Sequence, residues 1–179
     1  MAALTVLGLA AVPAGTAHAQ EKRLKAWGNN RAGQLGDGTW TDFRTTATTV
    51  LGLTSAEVVK IAAGGGGPAT GHGLALLTDR TVQSWGANGS GSSATASPIT
   101  GITPVPVQGL NGIQLVAGGR EHTVVLLGDN TVRSWGNNGS GRLGNGTTTD
   151  SSSPVTTLTA LTGVDEIADP VGGDFSLAN

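Results

Sequence analysis

Trp135-Gly136-Asn137-Asn138-Gly139-Ser140-Gly141-Arg142-Leu143-Gly144-Asn145-Gly146-Thr147 decides how this chain folds, because it occurs more than once. Trp27-Gly28-Asn29-Asn30-Arg31-Ala32-Gly33-Gln34-Leu35-Gly36-Asp37-Gly38-Thr39 is a second copy, and a degraded third begins at Trp85-Gly86-Ala87-Asn88-Gly89-Ser90-Gly91. The three tryptophans stand 58 and 50 residues apart, at positions 27, 85 and 135. A self-similar unit with such spacing marks a stacked repeat architecture.

A second module keeps step with the first. His72-Gly73-Leu74-Ala75-Leu76-Leu77-Thr78-Asp79-Arg80-Thr81-Val82-Gln83-Ser84-Trp85 matches His122-Thr123-Val124-Val125-Leu126-Leu127-Gly128-Asp129-Asn130-Thr131-Val132-Arg133-Ser134-Trp135, and each His lies 13 residues before its Trp. A third copy ends in Gly172-Gly173-Asp174-Phe175-Ser176-Leu177-Ala178, with Phe175 at the His position. Leu74 to Leu77 and Val124 to Leu127 are short aliphatic runs, each followed by a polar turn and a second run ending in Ser-Trp-Gly. Two such runs around a Gly, Asp or Asn turn predict a β-hairpin. Val58 to Ala62 and Ile113 to Ala117 supply another strand per unit. Thr39 to Thr49, Ser92 to Pro106 and Thr147 to Thr157 are rich in Ser, Thr or Pro and read as loops or edge strands between units. No segment sustains a 3.6-residue apolar period, so the chain reads as all-β. A small sheet cannot bury both faces alone, so the units must stack, with the tryptophans filling the space between sheets.

The pattern Trp-Gly-Asn-Asn-x-x-Gly-x-Leu-Gly-x-Gly-Thr, with Ile/Val-Ala-x-Gly-x-x-His-Thr/Ser before the next Trp-Gly, resembles the regulator-of-chromosome-condensation repeat over about Leu24 to Asn179. That resemblance implies β-propeller blades of four strands in a seven-bladed ring. Three repeats, at about 24–84, 85–134 and 135–179, would then make an incomplete arc. The middle one lacks the Leu-Gly-x-Gly segment, and an enlarged loop, Gly64 to Gly71, precedes His72. An open arc leaves edge strands and an apolar flank uncovered. The expectation is a piece of a longer product, or a subunit that self-associates to complete its ring.

Composition narrows the function classes. Thirty glycines without a collagen period, in a chain of 179 residues with 12% charged residues, fit many tight turns. The formal net charge of −2 sets nucleic acid aside as a partner, since ten Lys and Arg face twelve Asp and Glu. Lys22, Arg23 and Lys25 are the one basic cluster and read as a short solvated segment. With no cysteine there is no disulfide, zinc-thiolate site or thiol nucleophile. Residues 1–19 read as a signal peptide: an apolar run from Leu4 to Val12, then Ala17-His18-Ala19, predicting cleavage before Gln20 and a secreted chain over 20–179. The run is shorter than the roughly 20 apolar residues of a membrane span, so no stable span is expected.

The chemistry-bearing residues read as structural. His72 and His122 occupy equivalent positions and are expected to pack within their repeats rather than bind metal. Asp79 and Asp129 sit in equivalent turns, where Asp bonds its own backbone. Asn88, Asn138 and Asn145 head glycosylation sequons. No catalytic, cofactor or metal site is assigned, and no enzyme activity is expected. Secreted bacterial repeats of this kind also resemble propeller-type β-lactamase inhibitors. Their matching positions here, Thr70-Gly71, Arg120-Glu121 and Gly173-Asp174, carry no aromatic anchor. Trp40 and Phe43 lie outside the repeat pattern and, with Arg120 and Glu121, are the candidate contacts for a protein partner. The expected function is an extracellular, non-catalytic protein-interaction module. The alternatives are a guanine-nucleotide exchange regulator, as the resemblance implies, or an accessory domain of a secreted enzyme.

Overall fold

The structure, a computed structural model, describes residues 23–179 except 55–56, 68, 93–100, 158–160, 162 and 169–172. The leader expected over residues 1–19 lies outside the described residues. Every regular element among the described residues is a strand. They run β1 (Lys25–Asn29), β2 (Phe43–Thr49), β3 (Val58–Gly64), β4 (His72–Leu77), β5 (Val82–Gly86), β6 (Gly101–Pro106), β7 (Ile113–Gly118), β8 (His122–Leu127), β9 (Val132–Gly136), β10 (Ser151–Thr156), β11 (Ile167–Ala168) and β12 (Leu177–Ala178). Among the described residues no helix is long and apolar enough to cross a membrane.

The strands form two complete antiparallel sheets, β3-β4-β5-β6 and β7-β8-β9-β10, flanked by two half-sheets, β1-β2 and β11-β12. The expected hairpins are therefore present, and the Ser/Thr/Pro-rich stretches supply the outermost strands β2, β6 and β10. β4 and β8 are buried along nearly their whole length, which is why they read as continuous apolar runs rather than alternations. Their turns are Asx turns. Asp79 Oδ1 accepts from the Thr81 N–H (3.0 Å) and hydroxyl (2.6 Å), and Asp129 repeats both bonds with Thr131. The next residue takes the left-handed conformation, Arg80 at φ 66° and Asn130 at φ 60°. Gly136 ends β9 at φ +111°, and a side chain there would also strike the Glu121 carbonyl, so only glycine fits.

Apolar clusters lie between successive sheets. Leu74, Leu76 and Val82 of one blade meet Ile113, Val116, Val125 and Trp135 of the next. Val50, Leu53, Ala75 and Trp85 fill the junction before it, and Val124, Leu126, Val132, Val164 and Ile167 the one after. The first strands adjoin in series, β3 to β7 and β7 to β11. The Trp-bearing strand is third in its sheet, so one Trp-to-Trp repeat contributes to two neighbouring blades.

One expectation fails at the N-terminal edge. Trp85 and Trp135 fill inter-sheet space as predicted, but Trp27 is 68% exposed. Among the described residues β1 pairs only with β2, and no sheet is packed over that side of the ring. Phe175, which stands at the His position of the third copy, is exposed as well.

Candidate interaction face

One end of the arc gathers the loops that leave the third strand of each sheet and those that enter the second. The Ala87 N–H donates to Gly71 O and the Asn137 N–H to Glu121 O, tying the two loops of each blade together. A buried asparagine, three residues after each Trp, organises the longer loop. Asn138 Nδ2 donates to Thr147 O (3.0 Å), Thr147 Oγ1 (3.1 Å) and Asn145 Oδ1 (3.1 Å), while its Oδ1 accepts the Leu143 N–H at 3.0 Å. Asn30 does the same with Thr39, Asp37 and Leu35. Sequence reading took these segments only as turns; the asparagine recurring at the same offset from Trp was the available signal. Asn88 and Asn138 are buried, so in the folded chain these sequons serve the fold rather than present a side chain to solvent.

A second knot joins neighbouring blades. Ser92 O accepts from the Trp135 indole N–H (3.0 Å) and the Thr123 hydroxyl (2.9 Å), and His72 Nε2 lies 3.2 Å from Thr123 Oγ1. The single hydroxyl hydrogen of Thr123 is committed to Ser92 O, so Nε2 carries the imidazole hydrogen and donates. One blade later, the Ser176 hydroxyl donates to Arg142 O (3.1 Å) and His122 Nε2 donates to Ser176 Oγ (2.8 Å). Both histidines thus bond across a blade junction.

Asp37 is the buried carboxylate of the first loop. Burial raises its pKa, but hydrogen bonds from Thr39 and Arg44 outweigh that, and the group ends below its ordinary value. Arg44 pairs with it at 3.0 Å. Asp79 and Asp129 are lowered as well, chiefly by the Thr81 and Thr131 hydroxyls.

The four candidate contacts lie at this end but on different blades. Trp40 and Phe43 are exposed on the first half-blade, Trp40 with its indole over Gly33 and Phe43 paired with Asn29. Arg120 and Glu121 enter β8. Arg120 reaches Asp174 at 3.7 Å, and Glu121 Oε2 accepts from Asn137 Nδ2 at 3.3 Å. The structure therefore distributes them along a rim rather than gathering them in one cluster. Among the described residues no three His, Cys, Asp or Glu side chains are grouped to hold a metal ion.

This architecture, four-stranded blades with Trp-Gly-Asn loops on one face, is that of an incomplete β-propeller. The family model of the regulator of chromosome condensation (RCC1) repeat matches residues 113–142. The chain is 32% identical over 131 residues to the ultraviolet-B receptor UVR8 of Arabidopsis thaliana, covering 72% of this chain and 28% of that one. Among solved structures it resembles Prp20p of Saccharomyces cerevisiae, with TM-score 0.75 and 22% identity over 87% of this chain and 39% of that chain. It likewise resembles yeast RCC1 (Prp20) solved with Kap60, with TM-score 0.77 and 20% identity over 87% and 37%. The chain thus carries an RCC1-type repeat on an RCC1-like propeller fold, and it spans well under half the length of each of these relatives.

Proposed function

We propose that this chain is a secreted, non-catalytic protein-interaction module that binds through the loop face just described. The observation that carries this reading is the construction of that face. Buried Asn30 and Asn138 and the interblade knots brace the loops from within, while Trp40, Phe43 and Arg120 stand exposed at this end. Rigid loops bearing exposed aromatic and Arg side chains form contact surfaces at low entropic cost. The similar folds point the same way: Prp20p has binding properties toward Gsp1p and histones, and yeast RCC1 forms a complex with Kap60. A non-catalytic role is supported by the use of both described histidines, Asp79 and Asp129 in internal bonds. Secretion rests on the Leu4–Val12 run and the Ala17-His18-Ala19 sequence, and N-terminal sequencing of exported protein should begin at Gln20.

The binding test places a photo-crosslinking residue at position 40 and, as control, at position 129 on the opposite end of the blades. Exposed to the culture medium of the producing cell, the position-40 variant should yield a defined protein adduct that disappears with Phe43→Ala. Equal adducts at both positions, or none at position 40, would remove the reading.

A further inference from the structure

Seven residues, Gly65 to Gly71, join β3 to β4, whereas three, Gly119 to Glu121, join β7 to β8 in the next blade. The longer connection is tied down. The Gly65 N–H donates to Gly119 O (3.0 Å) and the Gly66 N–H to Thr70 Oγ1 (3.1 Å), while the Thr70 hydroxyl donates to Gly67 O (3.3 Å). Gly66 lies so close to the Arg120 side chain that a Cβ there would collide with it. The connection is thus folded on itself and against the second blade.

Beside it lies a cavity of about 70 Å³ on the interaction face. Ala69 and Thr70 of this connection bound it, with Ala87, Gly89 and Ser90 of the loop after β5, and Glu121. All of these loops belong to the two complete blades. Glu121 is the one charged residue among the described lining. Its Oε2 accepts from Asn137 Nδ2 at 3.3 Å, and the same amide reaches Ser90 Oγ at 3.4 Å. The neighbouring Arg120 pairs with Asp174 at 3.7 Å rather than with Glu121.

We propose that this cavity receives the ammonium group of a lysine side chain of the partner, an inference that rests on the protein-binding reading of this face. The carboxylate selects a cation. Volume excludes aromatic ligands, since a cavity that binds benzene runs to about 150 Å³. A metal ion would need several oxygen ligands, and the described residues group no three carboxylate or imidazole side chains. The bond from Asn137 then separates the two basic side chains. A guanidinium pairs best with both oxygens of a carboxylate, and here one is already engaged. An ammonium is a compact charge with three donors, which Glu121 Oε1 and Ser90 Oγ suffice to hold. Its methylene stem lies along the Ala69 and Ala87 methyl groups, as long cationic side chains bury their stems on apolar surface.

The test uses the nitrogen-15-labelled full chain and small probes, so it does not depend on isolating the partner. Nα-acetyl-lysine methylamide should give saturable shifts of the Thr70, Ala87, Ser90 and Glu121 amide signals, with a dissociation constant in the millimolar range. The matching arginine probe and the neutral Nε-acetyl-lysine probe should bind at least about tenfold more weakly. Glu121→Gln keeps an acceptor for Asn137 and should weaken the lysine probe about tenfold, as the loss of one charge-assisted hydrogen bond implies. Ala69→Leu, at an exposed loop position, should fill the cavity and abolish the shifts while the amide spectrum elsewhere stays unchanged. Absent shifts, equal binding of the lysine and arginine probes, or indifference to Glu121→Gln overturns the assignment. The position-40 cross-link reports on the wider reading separately. An adduct there without lysine shifts removes this site alone, and lysine shifts without an adduct remove that reading while the cavity keeps its ligand.

Discussion

The Trp135 indole N–H and the Thr123 hydroxyl meet on one carbonyl, that of Ser92, from two strands of the following blade. That carbonyl sits in the loop after β5, so the knot welds one blade's loop to the next blade's second and third strands. The tryptophan therefore acts twice, as apolar filler between sheets and as the hydrogen-bonding link between them.

Trp135→Ala removes a fully buried ring from the cluster that joins the two complete blades. Large-to-small replacement at such a site costs about 3–5 kcal/mol. Trp135→Phe keeps much of the packing and loses the N–H, while Ser92 O retains the Thr123 hydroxyl; about 1–2 kcal/mol is expected. Urea unfolding followed by far-UV circular dichroism should rank the two variants in that order.

Asn138→Ala strips the acceptor from the buried Leu143 N–H and the donor from Thr147 O at once. Leaving a buried backbone group unsatisfied costs about 1–3 kcal/mol. The loop from Gly139 to Thr149 should become the first site of limited proteolysis, whereas Asn145→Asp, a change already present at the equivalent Asp37, should be tolerated. Cleavage sites mapped by mass spectrometry distinguish the two.

Much of this architecture was legible in the chain and part was not. The hairpins and Asp turns follow from local patterns: aliphatic run, Asx turn, Ser-Trp-Gly. Blade phase is a matter of long-range pairing, and nothing local to Trp85 says that β5 lies third in a sheet begun by Val58. For the same reason the exposure of Trp27 could not be read: its local sequence matches that of Trp135, and the two differ only in which sheets pack over them among the described residues. Trp40 and Phe43 stood out as aromatics foreign to the repeat, and they are exposed at the loop face. The asparagine hubs went unread because buried Asn and turn Asn look alike until the partners are known.

Asp37 ties stability to pH. Its folded pKa is lowered, burial being outweighed by the Thr39 and Arg44 hydrogen bonds, so its contribution is present above the unfolded value of about 3.9 and is lost as pH falls through the folded value. Asp79 and Asp129 shift in the same direction and add to the same acid limb. Stability should therefore decline below about pH 4. Asp37→Asn, matching Asn145, keeps an acceptor for Thr39, and should shallow that decline while costing about 0.5–1 kcal/mol at neutral pH through the loss of the Arg44 pair. Thermal melts from pH 3 to pH 7 compare the slopes.

His122 and Ser176 offer a way to measure what one interblade bond contributes. Ser176 donates to Arg142 O, so His122 must present a hydrogen on Nε2 to Ser176 Oγ. Ser176→Ala removes that acceptor and the Arg142 donor together, and His122→Phe copies the replacement already present at Phe175. Each single change should cost about 1–2 kcal/mol, and the double change about 1 kcal/mol less than their sum, because the second removes a bond the first has already broken. Ser176→Thr, which reproduces Thr123, should be close to neutral. Additive losses in denaturant unfolding would show that His122 acts through packing alone. Coupling of the expected size, with an Nε2–H imidazole signal in nitrogen-15 spectra that moves on Ser176→Ala, would locate the last blade junction in this bond.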